Sequence, residues 1–277
     1  MHNTAEFISS VSNPERTYMM VFVKDEIVVR DDNGILEIPS LQEIKKWNIE
    51  VKDVRYIAPL NGDDYYGADL RSTGSLGGGC LKKLMQLPGK MPAPSLRLVF
   101  RAFHILHWVK TNKFCGCCGK VMREGRGSQE FSLGCPDCGH TVYPRISPAV
   151  IVAVVKGDKI LLARPNSFPV QHYSVISGFI NPGESLEACV KREVQEEAGI
   201  KVDQVEYFGS QPWPFPDVLM IAFTARYVSG EIVANDKELY AAGWFSAADL
   251  PESPPEGGIA RRLIDWFVQK HSQQSIH

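Results

Sequence analysis

Apolar positions along this 277-residue chain fall into two periodicities. An unbroken apolar run at 149–155, a Gly157-Asp158 turn and a second apolar stretch at 159–163 predict two paired strands. Shorter stretches at 175–180, 202–209, 218–227 and 241–245 predict further strands, and 18–23 with 27–29 predicts a strand, turn and strand near the beginning. Elsewhere the spacing changes to three and four residues. Leu186, Val190, Val194 and Ala198 form one stripe of a helix over 186–198, stopped by Gly199. Leu96, Val99, Phe100, Phe103 and Leu106 mark another helix, running through Val109 with Ser95 as its cap, and a last helix covers 259–270.

These elements predict an α/β protein in three segments. Residues 1–110 read as a small mixed α/β domain, 111–142 as a cysteine-rich module, and 143–277 as a larger α/β domain. The glycine-rich stretch 74–79 is followed by no Gly-Lys-Ser/Thr, so it reads as a loop and not as a phosphate cradle. The longest apolar run has seven residues against the roughly 20 that a membrane helix needs, so no membrane span is expected. The N-terminal MHNTAEFISS lacks a basic stretch followed by an apolar one and does not read as a signal peptide. Thirty Lys and Arg stand against 32 Asp and Glu, which excludes a protein built to coat nucleic acid, DNA included. An anionic substrate must then be met by local groups or metal ions.

Five of the seven cysteines lie between 115 and 138. An odd, clustered set suits a metal site in a reducing compartment such as the cytoplasm better than a disulfide framework. Cys115-Gly-Cys-Cys118-Gly119 and Cys135-Pro-Asp-Cys138-Gly139 are two CxxCG knuckles. Each puts two thiolates on one tight turn, and two such turns close a tetrahedral Zn2+ site. Cys115, Cys118, Cys135 and Cys138 are therefore expected to hold one structural Zn2+ per chain, with Cys117 a bystander. A closed site leaves no open position for chemistry.

Glu193, Glu196 and Glu197 share one face of the 186–198 helix, beside its apolar stripe. Such a face can be a solvated acidic surface, or an oxygen cluster for Mg2+ or Mn2+. The whole pattern decides: Gly178-x5-Glu184-x7-Arg192-Glu193-Val194-x-Glu196-Glu197-x-Gly199-Ile200 fills every fixed position of the Nudix box. The chain thus resembles the Nudix hydrolases. Downstream, the segment 210–218 reads SQPWPFPDV. Alone it is equally a strand connection with tucked-in aromatics. After a Nudix box it resembles the SQPWPFPxS motif of the NADH pyrophosphatases, which in bacteria also remove NAD caps from RNA and carry a four-cysteine zinc ribbon before the Nudix domain.

The resemblance covers about residues 111–270. It implies a C-terminal Nudix α/β/α sandwich with a mixed sheet, preceded by the zinc ribbon and the N-terminal domain. It implies metal-dependent cleavage of NAD(H) to NMN(H) and AMP, removal of NAD caps from RNA 5′ ends giving NMN and 5′-monophosphate RNA, and a homodimer. On the family's pattern Glu193, Glu196 and Glu197 are catalytic metal ligands, joined by Ser177 and Glu238, and hold more than one Mg2+ or Mn2+ per site. Glu197 is also the group expected to activate water, Arg192 orients a glutamate, and Glu184 braces the loop. Tyr143, Phe179, Gln211, Pro212, Trp213, Pro214, Phe215, Pro216, Asp217, Val218 and Ala260 take the substrate-binding positions. Two departures stand out: Val218 replaces the motif's serine, and Ser177 replaces the alanine usual before the box glycine. The rival expectations are a Nudix enzyme for ADP-ribose or dinucleoside polyphosphates, and an RNA-binding module with an inert Nudix fold. An intact box opposes the second.

Overall fold

The computed structural model describes residues 7, 11–72, 76–124, 131–166, 172–233 and 239–272. The chain divides into two units, Met1–Arg145 with Pro214–Pro216, and Ile146–Trp213 with Asp217–His277.

The first unit runs β1 (Thr17–Val23), β2 (Glu26–Asp32), β3 (Ile35–Glu37), α1 (Leu41–Lys46), β4 (Val51–Leu60), β5 (Asp63–Leu70), β6 (Cys80–Lys83) and α2 (Ala93–Thr111). Its sheet has the order β3-β2-β1-β5-β4, with β6 added to β2. Among the described residues of this sheet, only β1 and β5 pair in parallel. Successive strand residues point to opposite faces. Met20 and Phe22 therefore join Leu98, Val99, Ala102 and Ile105 of α2, while Met19 and Val21 join Leu41 and Ile44 of α1.

The α2 helix begins at Ala93 after Pro92, not behind Ser95. Pro92 and Pro94 explain the earlier start: first-turn N–H groups have no helical partner, so a proline there loses nothing. The glycines at 77 and 78 are set by packing. A Cβ at Gly77 would meet Trp47 Cα at 2.7 Å, and one at Gly78 would meet the indole Nε1 at 2.6 Å.

Three two-residue strands, β7 (Arg123–Glu124), β8 (Leu133–Gly134) and β9 (Thr141–Val142), form a small antiparallel sheet in the cysteine-rich segment. Its core is Trp108, Cys115, Met122, Leu133 and Cys135.

The second unit contains β10 (Ser147–Lys156), β11 (Lys159–Pro165), β12 (Ile176–Phe179), α3 (Leu186–Ala198), β13 (Lys201–Trp213), β14 (Val218–Ser229), β15 (Leu239–Ser246) and α4 (Ile259–Ser272). The sheet order is β13-β14-β10-β11-β15, with β12 also on β10. Strand β10 runs parallel to β14 and antiparallel to β11 and β12. Val150, Val152 and Val154 pack with Cys189, Val190 and Val194 of α3 on one face. Ile151 and Ala153 pack with Ile259, Leu263 and Phe267 of α4 on the other. This is an α/β/α sandwich on a mixed sheet. The motif at 210–218 is not the loop its prolines suggested: 210–213 ends β13, Trp213 pairs with Val218, and only 214–217 turns. Among the described residues no helix is long and apolar enough to cross a membrane.

Candidate functional site

The box is a strand end, a loop and a helix. Ser185 accepts a hydrogen bond from the Ala188 N–H at 3.2 Å, and this cap fixes where α3 begins. Gly199 ends the helix in the left-handed region at φ 73°. Between these stops the apolar stripe faces the sheet, leaving the acidic stripe on its border.

Arg192 is the hub of the site. Its Nε donates to Glu184 Oε1 at 2.8 Å and its Nη2 to Glu184 Oε2 at 2.9 Å, a bidentate pair. Nη2 also donates to the Phe179 carbonyl at 2.9 Å, and Nη1 reaches Glu193 Oε1 at 2.8 Å and Glu196 Oε2 at 2.9 Å. One guanidinium thus ties the end of β12, the loop and two box carboxylates together. Glu184 also accepts the Asn181 N–H at 3.0 Å. The Arg192 bonds, then this N–H, bring the Glu184 carboxyl down to about 2. A group so acidic is a poor base near neutral pH and suits a brace. Cys189 sits buried under this network, and its burial, then the Glu184 charge, pushes the thiol up to about 12.

Gly178 explains itself at this point. A Cβ there would overlap the Glu193 carboxylate, so the glycine makes room for a ligand-type side chain against β12. Glu193 is only 12% exposed while Glu196 is 55% exposed. Glu197 is half-buried. The three carboxylates share a face but do not close on one point. Among the described residues, the one set of three or more His, Cys, Asp or Glu donors all within 4.8 Å of each other is the four-cysteine group. Arg192 stands between Glu193 and Glu196. The carboxylate oxygens nonetheless form a donor set that fits hard divalent cations.

Other predicted positions scatter along the elements. Ser177 is exposed on β12, paired in register with Ile151, and Phe179 is 59% exposed. Gln211 donates to the Gly257 carbonyl at 3.0 Å, while its buried Oε1 has no hydrogen-bond partner among the described residues. The Ser147 hydroxyl donates to Asp217 Oδ1 at 2.9 Å, and Ser147 N–H donates to the Asp217 carbonyl, fixing the turn to β10. Val218 is buried at the start of β14, where the replaced serine hydroxyl would face packing. Ala260 lies in the first turn of α4 against the core. In the first unit, Phe215 packs on Phe100 and Phe103 with ring centroids 6.0 and 5.9 Å apart, Pro214 is buried, and Tyr143 is 59% exposed after β9. Pro212 and Pro216 are exposed. Glu238 falls outside the described residues. Reasoning from sequence missed the Ser147–Asp217 pair, because the partners lie 70 residues apart.

The two knuckles repeat one backbone design. Gly119 N–H donates to the Cys115 carbonyl at 2.9 Å and Gly139 N–H to the Cys135 carbonyl at 3.1 Å, with Gly119 and Gly139 at φ 72° and 75°. Cys115 N–H donates to Lys120 O and Cys135 N–H to His140 O. Cys115 Sγ lies 3.6 Å from Cys138 Sγ, and Cys118 Sγ lies 3.4 Å from Cys135 Sγ. A zinc–sulfur bond of about 2.3 Å makes a tetrahedron with edges of about 3.8 Å, so the four thiols fit one tetrahedral ion. The N–H groups of Cys118 and Cys117 hold the Cys115 thiol down to about 6, and that of Cys138 lowers Cys135 in the same way. Against the N–H groups of Lys120 and His140, the neighbouring thiols push Cys118 up to about 12 and raise Cys138, so one sulfur of each knuckle is held ready as the thiolate that a metal ligand requires.

A family model described as the NUDIX domain matches residues 145–267. Among curated proteins, the NAD-capped RNA hydrolase NudC of Pseudomonas aeruginosa (strain LESB58) is 39% identical over 88% of this chain and 86% of its own. The protein of the same name from Pseudomonas putida (strain W619) is 37% identical over 97% and 96%. Among solved structures, a NUDIX hydrolase from Nitrosomonas europaea superposes with a TM-score of 0.51 at 22% identity, covering 58% of this chain and 93% of that one, and so supports the fold. Nudix hydrolases use divalent metal ions, in keeping with the oxygen donors on α3. With identities of this size over most of both chains, the protein belongs to the NudC family of Nudix hydrolases.

Proposed function

We propose that this enzyme hydrolyses the diphosphate bridge of NAD(H) to NMN(H) and AMP, and removes the NAD cap from RNA to leave NMN and a 5′-monophosphate end. The observation that carries the reading is the complete box, organised around Arg192, in a chain whose relatives bear the name NAD-capped RNA hydrolase. Glu193, Glu196 and Glu197, with the Ser177 carbonyl and Glu238, are the groups that would hold Mg2+ or Mn2+. Such ions neutralise phosphate charge and make bound water acidic. Glu197 takes the proton of the attacking water as general base. One phosphorus–oxygen bond of the bridge breaks as one water adds, giving two monophosphates. Arg192 keeps Glu193 and Glu196 in place, and its bond to the Phe179 carbonyl fixes the loop end.

Phe179, Trp213 and Tyr143 offer ring faces for nicotinamide or adenine. Cys115, Cys118, Cys135 and Cys138 would hold one structural Zn2+, and the active form is a homodimer. Residues 1–110, 111–142 and 143–277 would then be the N-terminal domain, ribbon and hydrolase domain. Incubation with NADH and Mn2+, followed by mass identification of products, should yield NMNH and AMP. Sparing of NADH alongside rapid turnover of ADP-ribose or dinucleoside polyphosphates overturns this reading.

A further inference from the structure

The first knuckle carries an apolar pair that does not enter the ribbon core. Phe114 and Val121 form an antiparallel bridge. The bonds beside it, Cys115 N to Lys120 O at 2.7 Å and Met122 N to Lys113 O at 2.9 Å, flank the pair and do not join it. This is the non-hydrogen-bonded kind of pair, whose side chains stand closest together on one face. Their strand neighbours Cys115 and Met122 are buried with Trp108 and Leu133. Phe114 and Val121 instead remain 65% and 59% exposed.

Charge frames this pair. Lys113 precedes Phe114, Lys120 precedes Val121, Arg123 follows two residues later, and all three are exposed. The acid next to them, Glu124, is paired with Arg55. A zinc ion with four thiolates has a formal charge of about −2, so the three cations little more than balance it. Long-range attraction is then weak, and the ring is the principal recognition element. A stable protein interface buries about 800 Å² per partner. Two apolar side chains hemmed by cations offer far less, but they match the face of a nucleobase between phosphates.

We propose that the Phe114–Val121 face of the first knuckle binds single-stranded RNA, stacking a base on Phe114 with Lys113 and Lys120 on adjacent phosphates. The inference rests on the reading that capped RNA is a substrate. NADH has no RNA body, so the two substrates separate this contact from the chemistry.

The test compares the full-length parent with Phe114→Ala and Phe114→Trp on a short NAD-capped single strand and on NADH, with zinc content measured for each. Base stacking on an aromatic ring predicts a rise in KM for capped RNA on the order of tenfold in Phe114→Ala, recovered in Phe114→Trp. Turnover of NADH and zinc content stay at parental values. Removing Lys113 and Lys120 together should flatten the log–log salt slope of binding to a 5′-monophosphate RNA by about 1.4, two phosphates at about 0.7 each. The proposal is overturned by equal losses on both substrates, by no loss on capped RNA, or by a changed oligomeric state in Phe114→Ala, which makes the face a contact between copies. If the parent cleaves NADH but spares capped RNA, the substrate reading fails, and binding of the 5′-monophosphate strand by parent and Phe114→Ala still decides the RNA contact.

Discussion

The four thiols and the three box carboxylates are both clusters of like-charged ligands, yet they are assembled in different ways. In the ribbon, main-chain turns do the work: two glycines at positive φ and N–H groups aimed at carbonyls and sulfur bring four Sγ atoms within 4.8 Å. Short side chains leave little freedom, so ligand positions follow from the backbone. On α3 the carboxylates sit at the ends of long side chains, and Arg192 spaces two of them. Their positions depend on neighbours: Gly178 below Glu193, and Glu184 beyond Arg192. A closed site can thus be written into turns. An open site, which must admit substrate and ions, has to be braced by side chains from other parts of the chain.

If that contrast is right, the largest effect belongs to Glu197→Gln. Losing a general base costs about 10²- to 10⁴-fold in kcat. Removing one of three clustered charges relieves repulsion along the helix, so the melting temperature in metal-free buffer should hold or rise slightly. Glu187→Gln, exposed in the first turn of the same helix, should remain active. Parental turnover by Glu197→Gln at saturating Mn2+ and NADH would remove the assigned role.

Next comes Gly178→Ala. The added methyl group displaces the Glu193 carboxylate, the far end of a flexible chain, so activity should suffer more than folding. Misplacement by about 1 Å can cost on the order of 10²-fold in rate. A loss of stability without loss of kcat would show that Glu193 is not held by this contact. Cys135→Ser should reverse the balance: zinc content falls below one per chain and melting temperature drops, while kcat of the remaining folded enzyme changes by a few-fold at most. Normal zinc content in that variant would break the four-thiol assignment.

The smallest effect is a pH dependence. Glu184 titrates near 2 in the fold against an ordinary 4.5. A depressed carboxyl contributes its stability above pH 4.5 and loses it as pH falls towards 2. The melting-temperature gap between parent and Glu184→Gln should therefore be constant above pH 4.5 and close towards pH 2. A gap that persists at pH 2 would mean the pair acts through something other than charge.

The box helix was legible in the sequence, both ends included, because its stops are local: an apolar stripe and a left-handed glycine. The core strands of the second unit were legible for the same reason. In the first unit β4 was not. VKDVRYIAPL has no clean alternation, and its pairing with β5 shifts register twice. The candidate ligands could be named, and the resemblance named Arg192 and Glu184 as braces, but the contacts through which the bracing acts could not be read. Glu184 lies before the helix, outside its periodicity, and the contact of Gly178 with Glu193 arises only when β12 packs against α3.

The parallel pairing of β10 with β14 also bears on how quickly the second unit forms. Ser147 meets Val218, 71 positions later in the chain. Everything in the box is strung along that intervening stretch. Contacts so distant in sequence must close a long loop before they bring any gain, which slows folding. The knuckles close over only a few residues each. On a nascent or refolding chain, metal-binding turns should therefore mature early and the hydrolytic centre late, so zinc uptake should precede the appearance of activity.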